Sequence, residues 1–478
     1  MSDALLISVD PGEVRTALVR DGRLAEYAVE RLDATSLVGN IYLGRVARVV
    51  PGIDAAFVDC GLPRAVFLAG QDGPPGEGPL ARRIHEGEVL VVQVTRDAVG
   101  DKGPRVTTRL SLAGRLLVLC PGGEGVAVSR RITDPDERER LTRAVASVSR
   151  SATATVVIRT AAEGCDGNDL AADLDFLVDG VRVIESTSAA ANAPALLRAE
   201  LGPVERALRD RLGGSTGRVI IDDRPALTAA RAFAADHLPD ALDLLEGHAG
   251  STSLFRAHDV EDEIAGLSEP RVSLPSGGAL IIQTTEALTV IDVDSAGHTA
   301  RAAPAGDAAI AINLEAAREI ARQLRLRDIG GPAVVDFIGM ADDAADQRVV
   351  EALASATTSD PAPVRFSAMS EFGMVELTRK RVRPSVFDLL TEPCPTCDGG
   401  GRVKTARTVA GEILRAGLQE TTARPGRPVT LIAAPAVVDA LRGDCANFVV
   451  TLERAAGASV ALTVEAGLPR DRFEIAIG

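Results

Sequence analysis

The chain has 478 residues, of which 46% are hydrophobic and 25% are charged, proportions that are typical of folded proteins and exclude a largely disordered chain. The length is sufficient for several domains. The net charge of −15, from 52 basic and 67 acidic residues, excludes attraction of nucleic acid by the molecule as a whole, so such a ligand would need local basic surfaces.

Targeting signals and a disulfide framework are absent from the sequence pattern. No apolar run reaches the roughly 18 residues of a membrane span, and the start, MSDALLISVD, lacks the basic region of a secretory signal. We therefore expect a cytoplasmic protein. Four of the six cysteines are scattered along the chain, and only Cys394 and Cys397 are close in sequence.

Residues 1–36 predict three strands, LLISVD, VRTALVR and RLAEYAVE, with a turn at Pro11 and Gly12. Three strands are too few to bury a core, so later sequence must complete this sheet. Residues 37–109 contain short β-rich segments separated by glycine and proline, which is typical of a small closed barrel of the OB type.

The barrel carries Phe57 and Phe67 in a chain that has 11 Phe, 2 Tyr and no Trp. A phenylalanine in a strand is more often a core residue than a ligand contact. On a nucleic-acid-binding barrel, however, each ring could stack on a base, which would contribute about 1–3 kcal/mol without selecting a sequence.

Residues 110–204 include the strand TATVVIRT, which ends in Arg159 and Thr160. The guanidinium offers a bidentate donor for a phosphate and the hydroxyl offers a further donor, although a solvated turn would have the same sequence. Residues 205–267 predict helices around the strand RVIIDD. Their histidines are isolated in sequence and predict no metal site.

Residues 288–340 predict a strand, a helix and a second strand. The alternation in LTVIDVDSAG places Asp292 and Asp294 on one face of the first strand, and VVDFIGM places Asp336 on the second. For the helix between them we expect Asn313 as the N-cap, with Gly330 and Gly331 as the stop. This pattern is typical of a right-handed crossover between parallel strands.

Adjacent strands lie roughly 4.8 Å apart, which would bring Asp292 and Asp336 side by side, with Asp294 about 7 Å further along its strand. Converging carboxylates suit Mg²⁺. The alternative is that each aspartate is a cap, a turn former or a solvated residue.

The motif CPTCDGGG places two thiols at the spacing of a zinc knuckle. Structural zinc needs four ligands, and no second CxxC occurs, so Cys394 and Cys397 predict one zinc shared by two chains and hence a dimer. A redox dithiol or a pair without metal are the alternatives.

Three basic segments are candidate nucleic-acid surfaces, although such charge runs are more often solvated faces with paired acids. They are Arg130 with Arg131; Arg318, Arg322, Arg325 and Arg327; and Arg379, Lys380, Arg381 and Arg383.

Several motifs resemble the ribonuclease E/G family, in the same order along the chain. They are TTEALTVIDVDSAG, INLEAAREIARQLRLRDIGGPAVVDFIGM and CPTCDGGG, and a weaker likeness covers nearly the whole sequence. In its length, and in lacking a long Arg/Pro-rich tail, the sequence resembles the short, G-type members of this family.

The resemblance implies an α/β multidomain fold in seven parts. These are a ribonuclease-H-like scaffold in two pieces (1–36 and 205–267), an OB-type RNA-binding barrel (37–109), a 5′-sensor subdomain (110–204), a deoxyribonuclease-like catalytic subdomain (268–390), a zinc-link (391–403) and a small C-terminal domain (404–478).

The resemblance also implies residue roles. Asp292 and Asp336 would bind catalytic Mg²⁺, and Asp294 would orient ligands or water. The RNA contacts would be Phe57, Phe67 and Lys102, and the 5′-monophosphate would be sensed by Gly114, Val118, Arg159 and Thr160. Cys394 and Cys397 would hold structural Zn²⁺ between subunits. The chain departs from the family at Pro363, where a basic residue is usual, and at Gly339, where larger relatives have an aspartate.

The implied function is a magnesium-dependent endoribonuclease that cleaves single-stranded RNA and leaves 5′-phosphate and 3′-hydroxyl ends, in ribosomal RNA precursor processing and mRNA turnover. The implied partners are RNA and a second copy of the chain, in a dimer or a larger assembly. Two alternatives are an RNA-binding paralogue that is weakly active or inactive, and a zinc-linked structural dimer whose barrel binds protein.

Overall fold

The computed structural model describes residues 3–33, 36–98, 102–148, 154–212, 216–295, 305–340, 343–397, 399 and 401–478, with only the backbone at 305–307. The chain forms two compact units, Met1–Leu389 and Leu390–Gly478. In the described part of the chain, no helix combines the length and the apolar character needed to cross a bilayer.

The first unit begins with an antiparallel meander whose first strand becomes buried on both faces. Its strands are β1 (Asp3–Asp10), β2 (Glu13–Arg20) and β3 (Arg23–Arg31). In β1, Leu5 and Ile7 pack into one hydrophobic cluster, while Leu6 packs into another on the opposite face. The meander therefore needs covering elements on both sides.

A closed five-stranded barrel follows, as the sequence predicts. Its strands are β4 (Ile41–Val50), β5 (Ala55–Asp59), β6 (Val66–Ala69), β7 (Val89–Arg96) and β8 (Arg105–Thr107). The order is β4-β5-β6-β8-β7, and a β4–β7 pairing closes the ring. Val58, Leu68 and Val92 fill the interior.

A four-stranded sheet with two helices comes next. Its elements are β9 (Leu112–Ala113), β10 (Leu117–Pro121), β11 (Val126–Val128), α1 (Pro135–Val148), β12 (Ala154–Ile158) and α2 (Gly167–Ala190), with strand order β11-β12-β10-β9. The following strand, β13 (Ala195–Arg198), returns to the barrel and pairs with β4.

Later elements complete the first sheet, as predicted. They are α3 (Pro203–Arg211), β14 (Thr216–Ile221), α4 (Arg224–His237), β15 (Leu245–Gly247), α5 (Leu254–Ala257) and α6 (Glu261–Ala265). The order becomes β15-β14-β1-β2-β3, with β14 parallel to β1. The ribonuclease-H-like assignment of this sheet stays a prediction.

The last sheet of the first unit has six strands in the order β16-β17-β18-β19-β21-β20. Its elements are β16 (Arg271–Ser273), β17 (Ala279–Thr284), β18 (Thr289–Asp294), α7 (Ala305–Leu326), β19 (Gly331–Asp336), α8 (Asp343–Thr357), β20 (Val364–Phe366) and β21 (Met374–Arg379), followed by α9 (Val386–Leu390). One hydrophobic cluster joins the sheet to α7 and α8.

The predicted ends of the crossover helix are wrong. Asn313 is not an N-cap, because α7 already includes Ala305, and the Asn313 side chain is fully buried inside the helix. The helix ends at Leu326, and Asp328, rather than a glycine, adopts the left-handed conformation with φ of 51°. Gly331, with φ of 101°, begins β19 instead.

Arg322 on α7 and Arg327 just after it make contacts inside the protein, whereas Arg318 on α7 is exposed. Arg322 donates to the carbonyl oxygen of Leu24 at 2.8 Å and pairs with Glu263 and Glu319. Arg327 is buried and donates to the carbonyl oxygen of Glu269 at 2.7 Å. Arg322 therefore fastens α7 to β3 and α6, and Arg327 fastens the end of that helix to the segment before β16.

The second unit is a small α/β fold. Its elements are α10 (Ala406–Ala423), β22 (Val429–Ala433), α11 (Pro435–Arg442), α12 (Ala446–Ala456), β23 (Val460–Val464) and β24 (Phe473–Ile477), with strand order β23-β22-β24. Ile413, Leu431, Val437 and Leu452 are fully buried in its core.

Candidate functional site

Two carboxylates lie side by side on the six-stranded sheet. β18 and β19 are adjacent and parallel, and Asp292 is the register partner of Asp336. Ile291 and Val335, their neighbours in sequence, are fully buried in the core beneath the sheet. Strand alternation therefore directs both aspartates to the opposite, exposed face, as the sequence predicts.

The pair is electrostatically uncompensated. Partial desolvation, and then the negative charges of Asp336 and Asp294, raise the pKa of Asp292 above its ordinary value. Among the described residues, no Lys, Arg or His forms an ion pair with Asp292 or Asp336. This face of the sheet is therefore suited to receive a cation.

Asp294 differs from Asp292 and Asp336, which are exposed and form no ion pair among the described residues. The Asp294 side chain is 43% exposed and has a basic neighbour. The guanidinium Nη1 of Arg271, on β16, lies 3.6 Å from Asp294 Oδ2. Arg271 is distant in sequence and shows no motif, so sequence reasoning missed it. Its charge offsets part of the negative charge that a third carboxylate adds.

The three acids do not form a complete metal cage. In the described part of the chain, no group of three or more His, Cys, Asp or Glu side chains is arranged to hold a metal ion. Mg²⁺ in enzymes usually retains several waters and takes one or two carboxylates together with substrate phosphate oxygens. The Asp292–Asp336 pair supplies the two carboxylates of such a site, and water and substrate would have to supply the other ligands.

The buried Asn313 supports the strand end that carries Asp336. Its amide nitrogen donates to the carbonyl oxygen of Ile338 at 2.7 Å, and its amide oxygen accepts from Ile338 N–H at 3.1 Å. The chain two residues beyond Asp336 is thus fixed to α7. Sequence analysis assigned Asn313 to a cap and missed this function, since the contact spans 25 residues.

Two positions differ from the family that the sequence resembles: Gly339 lies close to this strand end, and Pro363 lies just before β20. Gly339 is exposed and has open space where a side chain would project. Pro363 is exposed and its carbonyl oxygen accepts from Lys380 N–H at 3.0 Å, while Arg365 is exposed on β20.

The barrel phenylalanines are neighbours on its outer surface. Phe57 on β5 pairs in register with Phe67 on β6, and their ring centroids are 5.9 Å apart in an edge-on arrangement. Both rings are half-buried, whereas Val58 and Leu68 beside them point into the core. The two phenylalanines are therefore surface residues and not the core residues that such positions usually hold.

Arginines continue this row on both sides. Arg48 on β4 pairs in register with Phe57, and Arg105 on β8 pairs with Phe67, with its guanidinium carbon 5.4 Å from the ring centroid. Lys102 is also exposed. Sequence analysis missed both arginines, because their alignment depends on strand register.

The predicted sensor residues lie around one end of β10 and β12. Gly114 is buried, and a Cβ there would lie 2.4 Å from a carboxylate oxygen of Asp173. Val118 is on β10, and the Thr160 hydroxyl lies 3.0 Å from that of Ser129. Arg159 donates to the carbonyl oxygen of Gly114. Gly114, Arg159 and Thr160 therefore occupy one neighbourhood.

Arg159 already has an acidic partner. Its Nη2 donates to Asp210 Oδ1 at 2.9 Å. Burial would raise the pKa of Asp210, but the hydrogen bond and charge of Arg209, and then those of Arg159, lower it overall, so the carboxylate is held ionised. An incoming phosphate must therefore compete with Asp210 for the guanidinium.

The two motif cysteines lie together in the second unit. Cys394 is exposed, its carbonyl oxygen accepts from Cys397 N–H at 3.3 Å, and Gly401 N–H donates to Cys397 Sγ at 3.3 Å. Hydrogen bonds from the Thr396 and Cys397 backbone lower the pKa of the Cys394 thiol. The Cys394 sulfur is thus in surroundings that favour the thiolate needed by a metal.

Comparison with known proteins identifies the family. The Ribonuclease E/G family model matches residues 111–382. Ribonuclease G of Salmonella typhimurium and of Escherichia coli are each 36% identical to this chain, over 99% of both proteins. The chain belongs to the ribonuclease E/G family.

The lengths of the relatives indicate the subgroup. Ribonuclease E of a Nostoc species is 39% identical over 76% of this chain but only 54% of its own length. This family member instead matches the ribonuclease G proteins from end to end. The predicted resemblance to the short, G-like members is confirmed.

Replacing Asp336 should change how the stability of this family member depends on pH. The pKa of Asp292 is raised in the folded state, so protonation of this carboxyl stabilises the fold. Its contribution to the free energy of unfolding is complete below the unfolded-state pKa of about 3.9. The contribution is lost as the pH rises through the folded-state pKa. Asp336→Asn removes one cause of the shift. In EDTA, urea unfolding at pH 7 should find the variant more stable than the wild type, with the difference shrinking towards pH 4.

The matched control is Asp179→Asn, because Asp179 lies on the exposed face of α2 and pairs with Arg182. It should show no pH-dependent gain. A variant at position 336 that is less stable than the wild type at pH 7 would contradict the repulsion between the two carboxylates.

Proposed function

We propose that this family member is a magnesium-dependent endoribonuclease that cleaves single-stranded RNA and leaves 5′-phosphate and 3′-hydroxyl ends. The observation that carries the proposal is the register pairing of Asp292 with Asp336 on an exposed sheet face, without a basic partner among the described residues. Full-length relatives named ribonuclease G support the reaction class. The substrates would include ribosomal RNA precursors and mRNA in the cytoplasm.

Asp292 and Asp336 would hold the Mg²⁺. When bound, the ion neutralises charge on the scissile phosphate and lowers the pKa of water. Asp294, restrained by Arg271 at 3.6 Å, would accept a hydrogen bond from a water and orient it. Asn313 would keep Asp336 in place through Ile338.

The barrel would hold the RNA strand. Phe57 and Phe67 offer two rings to bases, and Arg48, Arg105 and Lys102 offer positive charge to the backbone. Aromatic rings flanked by basic groups are typical of surfaces that bind single-stranded nucleic acid without sequence selection. This row supports RNA over protein as the ligand of the barrel.

A 5′-monophosphate would be sensed by Gly114, Val118, Arg159 and Thr160. The competition with Asp210 for Arg159, together with Pro363 in place of a basic residue, weakens this pocket relative to a site with free cations. We therefore propose that cleavage by this protein depends only modestly on the 5′ end.

The functional assembly would be a homodimer with one Zn²⁺ held by Cys394 and Cys397 of each chain. Two thiols per chain supply half of a tetrahedral site, and backbone hydrogen bonds to Cys394 favour its thiolate. Dimers could associate further.

A second candidate is a weakly active or inactive RNA-binding paralogue. Two observations favour it. Gly339 provides no carboxylate where larger relatives have an aspartate, and Asp294 is paired with Arg271. The Asp292–Asp336 pair favours the enzyme, because a binding protein gains nothing from two adjacent unpaired carboxylates that repel RNA.

Asp292→Asn should abolish cleavage while leaving RNA binding nearly unchanged, since the barrel and not the aspartate pair provides most of the RNA contact. The measurement is cleavage of a labelled, 5′-phosphorylated single-stranded oligoribonucleotide with and without Mg²⁺, alongside its affinity by fluorescence anisotropy. We expect the rate to fall at least about a thousandfold.

The matched control, Asp179→Asn, should cleave like the wild type. Wild-type protein that binds the oligonucleotide but never cleaves it would favour the paralogue. Full activity of Asp292→Asn would remove the metal assignment.

Cys394→Ser should release zinc and shift the dimer towards the monomer, because serine is a poor zinc ligand. Zinc content by mass spectrometry and molar mass by light scattering measure the two effects together. Cys165→Ser is the control, since Cys165 lies outside the motif and its Sγ donates to the Ala161 carbonyl oxygen, a bond that a serine hydroxyl can also make. An unchanged molar mass for Cys394→Ser would eliminate the zinc link.

A further inference from the structure

One aromatic side chain in a turn of the six-stranded sheet is almost fully exposed to solvent. Phe372 is 80% exposed and lies in the turn between β20 and β21. Phe366, at the end of β20, and Met369, in the same turn, pack against the core of the sheet. The segment therefore packs on the core through Phe366 and Met369, while Phe372 projects towards solvent.

The turn that carries Phe372 is well hydrogen-bonded. Ser370 N–H donates to the carbonyl oxygen of Met374 at 2.8 Å, and Gly373 N–H donates to that of Ser370 at 2.9 Å. Ser370 Oγ also accepts from Phe372 N–H at 3.4 Å and Met374 N–H at 3.3 Å. Gly373, with φ of 77°, allows the tight reversal. The exposure of Phe372 is therefore built into a defined turn.

The turn is attached to the strand end that carries Asp336. Met374, two residues after Phe372, is the register partner of Asp336 on β19. Phe337, which follows Asp336 in sequence, donates its N–H to the carbonyl oxygen of Gly373 at 3.3 Å. Paired residues on antiparallel strands lie roughly 5 Å apart. Phe372 therefore lies at the same edge of the sheet as the aspartate pair.

A phenyl ring at this edge cannot bind a metal ion or transfer a proton. It can stack on a nucleobase, and stacking does not depend on charge. This matters beside Asp292 and Asp336, whose negative charge repels a phosphate backbone until a cation is present. An uncharged attraction at this position would offset that repulsion.

We propose that Phe372 is a stacking platform for the base of the nucleotide next to the scissile phosphodiester. The platform is separate from Phe57 and Phe67, which lie on the barrel. It accepts any base, and it holds the strand so that the phosphate faces Asp292 and Asp336. This inference rests on the proposed ribonuclease function and specifies a substrate contact of the same site.

The test compares Phe372→Ala, Phe372→Leu and Phe372→Trp on a 5′-phosphorylated oligoribonucleotide with one cleavage site. Phe372→Ala and Phe372→Leu should raise KM about tenfold with a smaller change in kcat, since one stacked base is lost. Phe372→Trp should restore the wild-type KM, because its larger ring still stacks. Val183→Ala is the control for loss of an exposed apolar side chain, since Val183 is 53% exposed on α2.

Oligonucleotides with a single abasic nucleotide identify the stacked base. At one position beside the scissile bond, the abasic substitution should raise the wild-type KM about tenfold and leave the KM of Phe372→Ala unchanged. Equal losses for both proteins at every position would overturn the proposal, and so would Phe372→Leu behaving like the wild type.

The outcome can be separated from that of the ribonuclease proposal. If the wild type does not cleave, anisotropy with the same oligonucleotides still compares their affinity for wild type and Phe372→Ala, and equal affinities refute the stacking contact. Molar mass by light scattering detects a different function of the ring. A Phe372→Ala protein that becomes monomeric would identify an interface residue and contradict the platform.

Discussion

The arrangement of this protein depends on the parallel, in-register pairing of β18 with β19. That register places Asp292 beside Asp336 on one face and Ile291 beside Val335 in the core beneath it. A shift of one residue on either strand would exchange a carboxylate for a core side chain, so burial of the hydrophobic face fixes the position of the acids. The hydrophobic core of the sheet thus holds two like charges together, and a bound cation would relieve the resulting repulsion.

Buried ion pairs hold the surrounding elements in place. Arg379 on β21 is buried between Asp328, which follows α7, and Asp360, which precedes β20, at 2.7 and 2.9 Å. The carbonyl oxygen of Asp360 also accepts from Arg131, in the segment after β11. Two arginines of the basic segments, Arg131 and Arg379, therefore help to fix the six-stranded sheet, the end of α7 and the segment after β11 to one another. Arg318, Lys380 and Arg381 of the same basic segments are exposed.

Local patterns in the sequence were sufficient for part of this account. Strand alternation predicted the Asp292–Asp336 pair, and short strands with glycine-rich joints predicted the closed barrel. Contacts made across the fold were not predictable, because periodicity carries no information about them: Arg271 with Asp294, Asp210 with Arg159, and Asn313 with Ile338. The sequence predicts too late a start for α7, because the alanine-rich stretch before Asn313 has no distinct capping signal. The metal ions and the roles of the site residues stay predictions.

The most direct test of the account is metal binding at the aspartate pair, measured without RNA. Mn²⁺, which takes similar oxygen ligands, can be titrated into the zinc-loaded protein and the free ion counted by electron paramagnetic resonance. The account predicts one site per chain in the wild type and in Asp179→Asn, weakened at least about tenfold in both Asp292→Asn and Asp336→Asn. Equal Mn²⁺ binding by all four proteins would contradict it.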